Sequence, residues 1–281
     1  MSVEVACLVL IAAAFHASWN ALIKMRGDRV IVMMLVTLSG SMFSLLVAPF
    51  VEAPAPESWG LLALTILLHT AYHLFLPIAY NHEDLGQVYP IARGSAPLLV
   101  AIGALLFAGE ALTPVALLGT LCLACGVMAL TFERGGGVWV TPKPVIHALL
   151  TGVLIASYTV VDGLGARQAG SAIGFAVWLT IGDGLLTFLI VCMWKGRNVV
   201  RAAARNAGTA LIGGILQALG YWIIVWALAV APMAMVSGLR ETSVLFAALI
   251  STFVLKEGFG AWRFVSAALI ALGLVATKSS K

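Results

Sequence analysis

Residues 30–49 read VIVMMLVTLSGSMFSLLVAP, twenty positions without a charge. At about 1.5 Å of rise per residue, a helix of this length matches the roughly 30 Å hydrocarbon core of a bilayer. Comparable runs recur along the chain, at Val3–Ile23, Trp59–Tyr80, Gln87–Phe107, Leu112–Phe132, Val145–Asp162, Ala172–Met193, Gly208–Leu228, Met233–Leu255 and Ala261–Thr277. Together they predict ten transmembrane helices. A membrane β-barrel would show short segments alternating between polar and apolar residues. These runs are apolar on all sides and rich in Leu and Ala, so the expected fold class is all-α integral membrane, with lipid as the main solvent.

Composition agrees: of 281 residues 62% are hydrophobic and 10% charged, and the mean hydropathy is +1.05. A soluble domain of this size could not bury so much apolar surface. The formal net charge of +4 carries no nucleic-acid implication, because the Lys and Arg residues gather in loops, where they set membrane orientation. The first apolar run follows Met-Ser-Val-Glu without a basic stretch and continues to Lys24 without a small-residue cleavage site. It reads as a retained helix, not a cleaved leader. Cys122 and Cys125 form a C-x-x-C inside the fifth run, with no second pair and no neighbouring His; they read as buried thiols rather than a metal or redox motif.

Connections are short, and the polar stretches Glu133–Lys143 and Lys195–Asn206 are the longest. The first divides five runs from five. Displacing the sequence by 147 residues places Arg93 on Arg240, Leu98 on Leu245, Ala101 on Ala248, Glu110 on Glu257, Gly126 on Gly273 and Ala129 on Ala276. A displacement of 139 sets Ala17-Ser18-Trp19 on Ala156-Ser157-Tyr158. Residues 1–137 and 138–281 are therefore expected to be two five-helix repeats. An odd number of spans in each turns the second copy upside down in the membrane, the usual geometry for alternating access.

His16-Ala17-Ser18-Trp19-Asn20 with Lys24, Gly109-Glu110-Ala111-Leu112 with Gly119 and Gly126-Val127, and Lys256-Glu257-Gly258-Phe259 with Gly273-Leu274 carry a family pattern. The chain resembles the drug/metabolite transporter superfamily, specifically its ten-helix EamA-type permeases. With Tyr89-Pro90-Ile91-Ala92-Arg93-Gly94 and Arg240-Glu241-Thr242-Ser243 it looks like a subgroup associated with phosphonate utilisation. The resemblance implies an inner (plasma) membrane transporter with both termini in the cytoplasm. The basic residues argue otherwise. Loops after odd-numbered spans and their flanks hold Lys24, Arg26, Arg29, Arg134, Lys143, Lys195, Arg197, Arg201, Arg205, Lys256 and Arg263, against Arg167, Lys278 and Lys281 on the other side. The positive-inside rule places the termini outside the cytoplasm.

A charge within lipid needs a partner, a wet cavity or a function. Asp183, Arg93, Arg240 and Glu241 lie well inside predicted spans, accompanied by His16, Trp19, Asn20, His69, Tyr72, His73, Tyr89, Tyr158, Trp178, Gln217, Tyr221 and Trp222. Arg93 and Arg240, related by the repeat, would lie on opposite sides of the midplane, each roughly 6 Å from it. Their forked donors suit carboxylate, phosphate or phosphonate oxygens; the alternative is static ion pairing to Asp183 and Glu241. The acids could instead hold an amine, or carry a proton along with His16; His16 could equally just bond a neighbouring helix. The aromatic residues either line a pocket or anchor the helices at the interface. Glu110 and Glu257, at hairpin turns, suit capping, and the small residues Gly119, Gly126, Ala267, Ala271 and Gly273 suit close helix packing.

Arginines and acids together favour a zwitterion, an amino acid or an aminophosphonate-like compound, carried by a secondary transporter. Export of cationic or amphiphilic compounds and flipping of a lipid-linked head group are the alternatives. With no phosphate-binding loop, ATP is not expected as fuel. An enzyme is not expected either: the chain has no H-E-x-x-H and no G-x-S-x-G, and His82-Glu83-Asp84 lacks metal spacing. No cofactor or metal is expected, and partners reduce to a small-molecule substrate and lipid. The two halves already form a pseudo-dimer, so a monomer suffices, with a dimer as the alternative.

Overall fold

A computed structural model describes residues 1–23, 28–82, 85–132, 142–196, 198–253 and 261–279. Lys24, Arg26, Glu83, Asp84, Arg134, Gly135, Gly136, Gly137, Arg197, Lys256, Glu257, Gly258 and Phe259 lie outside the described residues, as do the side chains of His82, Tyr89, Lys143, Arg201, Arg205 and Arg263. Among the described residues the regular structure is helical throughout: α1 (Val3–Ile23), α2 (Arg29–Val47), α3 (Trp59–His82), α4 (Leu85–Ala108), α5 (Pro114–Met128), α6 (Pro142–Gln168), α7 (Ala172–Lys195), α8 (Asn198–Val230), α9 (Met233–Arg240), α10 (Ser243–Phe253) and α11 (Ala261–Ser279). Seven of these helices are long and apolar enough to cross a membrane, and α5 and α11 carry shorter apolar helices. Taking α9 and α10 as one interrupted span gives the ten of a ten-helix membrane protein. Large apolar side chains lie open on the outside, Phe50 85% and Met193 79% exposed, as lipid contact requires.

Helix ends follow local chemistry. The Asp28 carboxylate accepts the Val30 and Ile31 N–H groups at 3.0 and 3.4 Å and caps α2; Thr113 caps α5, with Pro114 in its first turn, and Ser171 caps α7. Two boundaries differ from the expectation. The stretch from 198 to 206, read from its polarity as a connection, belongs to α8, which has 33 residues. At about 50 Å it overreaches a 30 Å core, so its polar beginning can stand outside the apolar layer. Helix α6 runs past Asp162 to Gln168, which leaves that acid inside the span. Cys125, expected to be buried, is exposed on α5, and Cys122 is half-buried.

The chain forms two compact units, and each takes helices from both halves of the sequence. One comprises Met1–Ala13, Ala79–Val160 and Ala231–Lys281, the other Ala14–Ile78 and Val161–Val230. In the first, α5 packs on α11 and α4, and α4 on α9. A Cβ added to Gly273 would lie 2.6 Å from the Gly119 carbonyl oxygen, so the expected small-residue seam is where two backbones meet. In the second, α2 packs against α7 and α8.

Lys195, in the last turn of α7, donates to Asp28 at 2.9 Å. Partial burial of the Asp28 carboxyl works to raise its pKa, but the hydrogen bond from Lys195 and those from Val30 and Ile31 outweigh it and hold the pKa below the usual aspartate value. A carboxyl lowered on folding stabilises the fold above its unfolded pKa of about 3.9, and that contribution fades as pH falls through the folded value. Asp28→Asn is therefore expected to lower the melting temperature slightly at pH 7, with the difference from the wild type shrinking as pH falls below the ordinary aspartate value of about 3.9, read by thermal unfolding across pH.

Candidate functional site

In the first unit the ninth span breaks where its charges sit. Helix α9 ends at Arg240, α10 begins at Ser243, and Glu241 and Thr242 form a tightened turn between them. The Glu241 N–H reaches the Gly238 carbonyl at 3.1 Å, the Thr242 N–H reaches Leu239 at 3.1 Å, and the Thr242 hydroxyl returns to the same Leu239 carbonyl at 2.7 Å. Such i to i−3 closure marks an interrupted helix.

Onto this turn fold both repeat-related arginines. Arg93 Nε lies 2.5 Å from Glu241 Oε2 and its Nη2 donates to Ser243 Oγ at 2.8 Å. Arg240 Nε lies 3.7 Å from Glu241 Oε1, with its guanidinium 5.8 Å from the Tyr158 ring centre. Glu241 is wholly buried, and both arginines are buried with it. The arginines were expected as two separate rungs; instead their charged ends converge on one carboxylate. Pro90 and Pro97 lie within α4, and Pro232 immediately precedes α9. The hairpin glutamate takes the capping role expected of it: Gly109, at φ +67°, reverses the chain after α4, and Glu110 Oε2 accepts the Met233 N–H at 2.8 Å, one of the donors that a helix N-terminus leaves over.

The second unit holds a separate polar cluster. Asp162 is wholly buried; its carboxylate accepts from Thr65 Oγ1 at 2.5 Å and from the Tyr221 hydroxyl, and stands 3.2 Å from His69 Nε2. One turn along α3, His73 Nδ1 lies 2.9 Å from Asp183 Oδ2. Asp183 also accepts from Thr70 at 3.1 Å and Thr187 at 3.3 Å, and Gln217 Nε2 stands 3.4 Å from His73 Nε2. Tyr72 is buried with its ring 5.4 Å from that of His73.

The other candidates are engaged locally. Asn20 donates to the His16 carbonyl at 2.8 Å, so its amide serves its own helix, and the His16 ring packs edge-on against buried Trp19 at 5.0 Å. Trp222 donates to Thr180 at 3.1 Å and stacks on Phe43 at 5.5 Å, which is packing. The expected set thus divides: Arg93, Arg240, Glu241 and Tyr158 meet in one unit, while Asp183, Tyr72 and Tyr221 gather in the other. Asp183, considered as an arginine partner, has His73 and threonines for neighbours. Asp162 escaped the sequence reading because an acid at the edge of an apolar run looks like its end. The signal of His69 and His73 was their spacing of four, which sets them on one helix face.

Compared with known families, the sequence matches one twice, over residues 4–132 and 142–278. The chain belongs to the EamA-like transporter family. The EamA-like match falls once in each half of the sequence, as the two displacements anticipated. An EamA-like protein is a membrane transporter of the drug/metabolite type; this chain is a multi-pass membrane protein of that kind, and its family consists of transporters, not enzymes. The match is to EamA-like transporters as a whole and does not distinguish the phosphonate-associated subgroup within them. No curated protein matches the sequence. A solved structure, titled only as the crystal structure of a protein, covers 97% of this chain and 94% of its own at a TM-score of 0.75 and 15% identity, a likeness of fold.

Proposed function

We propose that this EamA-like chain is a secondary transporter that moves a small zwitterion, an amino acid or aminophosphonate-like compound, by alternating access of its two inverted repeats, 1–137 and 138–281. The observation that carries the reading is the break in the ninth span at Glu241 and Thr242, with Arg93 and Arg240 on the Glu241 carboxylate. Discontinuous helices within the membrane supply the polar backbone and charged ends that substrates use in such transporters. Arg93, tied to both Glu241 and Ser243, is the fixed element. Arg240, whose contact with Glu241 is the longer, can turn a planar fork toward a carboxylate or phosphonate, leaving Glu241 to receive the amine. Tyr158 supports the guanidinium from its ring face. Transport is driven by the substrate gradient, exchange or a coupled ion.

The test is the shift in unfolding temperature of the detergent-purified protein across a panel of zwitterions, simple anions and organic cations. A ligand at a hundred times its Kd stabilises the folded state by about 2.7 kcal/mol. A zwitterion is expected to stabilise the wild type and to lose that effect in Arg240→Ala. Stabilisation by cations that survives Arg93→Ala and Arg240→Ala would make the arginines structural and support an exporter of cations instead.

The basic residues support termini outside the cytoplasm. With the native cysteines replaced, Lys281→Cys is expected to react with a membrane-impermeant maleimide in intact cells. Reaction only after the cytoplasmic face is opened would restore the topology usual in the family.

A further inference from the structure

We propose that His69, His73 and Asp183 form a binding site for a divalent first-row transition-metal ion of the zinc class. One ring nitrogen from each histidine and one carboxylate oxygen of Asp183 lie within 4.8 Å of one another, and all three residues are buried. His69 and His73 stand one turn apart on α3, the i, i+4 spacing that lets two imidazoles share an ion from one helix face. Asp183 comes from α7 to complete the set. Donors bonded to one tetrahedral ion at about 2.0–2.2 Å stand roughly 3.4 Å apart; His73 Nδ1 and Asp183 Oδ2 are already 2.9 Å apart, and the widest separation in the set, 4.8 Å at most, is the one that has to close.

Around these donors stands the outer layer that ligating histidines need. His69 Nε2 has the Asp162 carboxylate at 3.2 Å and the Tyr221 hydroxyl at 3.1 Å, and Asp162 is itself held by Thr65. His73 Nε2 has the Gln217 amide at 3.4 Å. Such partners fix ring orientation and tautomer and strengthen the ligand. Charge also fits. Asp162 and Asp183 place two carboxylates in a cluster whose acids and imidazoles are buried, and a divalent ion held by neutral imidazoles would balance them where lipid penalises any surplus charge. Imidazole donors favour zinc, cobalt or nickel over magnesium and calcium. Three protein donors leave coordination positions open, as in sites where an ion or its ligand exchanges. The proposal is independent of the zwitterion reading, which rests on residues of the other compact unit.

The test uses the untagged full-length protein, purified in detergent and stripped with a chelator, then titrated with Co²⁺ and followed by visible absorption and unfolding temperature. The expected result is saturable binding of one ion per chain, competed by Zn²⁺ and not by Mg²⁺ or Ca²⁺, and retained in Arg240→Ala. His73→Ala should abolish it; His73→Gln, which keeps an amide in the same space, should do so without disturbing the fold. Asp162→Asn, acting through His69, should weaken binding about 10–100-fold. A wild type that binds no Co²⁺ and responds only to pH would assign the cluster to protons and overturn the proposal. Binding undiminished in His73→Gln would place the ion elsewhere and overturn it equally.

Discussion

Replacing Glu241 with alanine is expected to destabilise the purified protein by about 3–5 kcal/mol, measured as the loss in thermal or denaturant stability relative to the wild type. Glu241 is wholly buried, and its carboxylate faces Arg93 at 2.5 Å and Arg240 at 3.7 Å. Removing it takes away the anion that both guanidiniums share. The charge and not the volume is what matters, so Glu241→Gln should lose most of the same stability. Replacing Arg93, Arg240 and Glu241 together with leucine should recover much of it, because no charge of the cluster is then left to desolvate. A Glu241→Ala variant as stable as the wild type would mean that water reaches the cluster, and the ion pair would then be worth little.

Gly214→Ala is expected to cost about 1–3 kcal/mol by overpacking, although alanine is the better helix former. At this position the added Cβ would lie 2.5 Å from the Val36 carbonyl oxygen and 2.6 Å from the Gly40 nitrogen. Both are backbone atoms, so a side-chain rotation cannot relieve the contact and α2 would have to move off α8. Gly60, on α3, has nothing within 4 Å of the same added atom. There the substitution should be neutral or stabilise by about 0.5–1 kcal/mol. Measured side by side, Gly214→Ala should lower the melting temperature and Gly60→Ala should leave it unchanged or raise it. A shift of the same sign and size in both would show that helix propensity, not close approach of the backbones, governs these glycines.

Legibility differed from element to element. α1 and α3 stand where their apolar runs said they would, because lipid imposes length and apolarity on each span separately. The start of α8 and the end of α6 were misjudged because both were read from polarity alone. A helix continues as long as its backbone hydrogen bonds do, whether its residues are apolar or not. The break between α9 and α10 had no sequence mark of its own: Met233–Leu255 reads as one run, and Arg240-Glu241-Thr242 contains neither Gly nor Pro. Only the repeat relation between Arg93 and Arg240 pointed there. His69 and His73 were named among the polar companions of the third span, and their contacts with Asp162 and Asp183 were not foreseen.

The ten spans, their repetition in two halves and the family were all readable along the chain, since each depends on residues that are neighbours in sequence. Which charge meets which depended on packing. Arg93 donates to a serine 150 residues away, and Thr65 to an aspartate 97 residues away. Several acids and bases could have neutralised one another in the abstract. Helix packing sorted them into an arginine–carboxylate cluster and a histidine–aspartate cluster, because ion-pair attraction is decided by which side chains come within a few ångströms of one another, and those separations exist only once the helices have met.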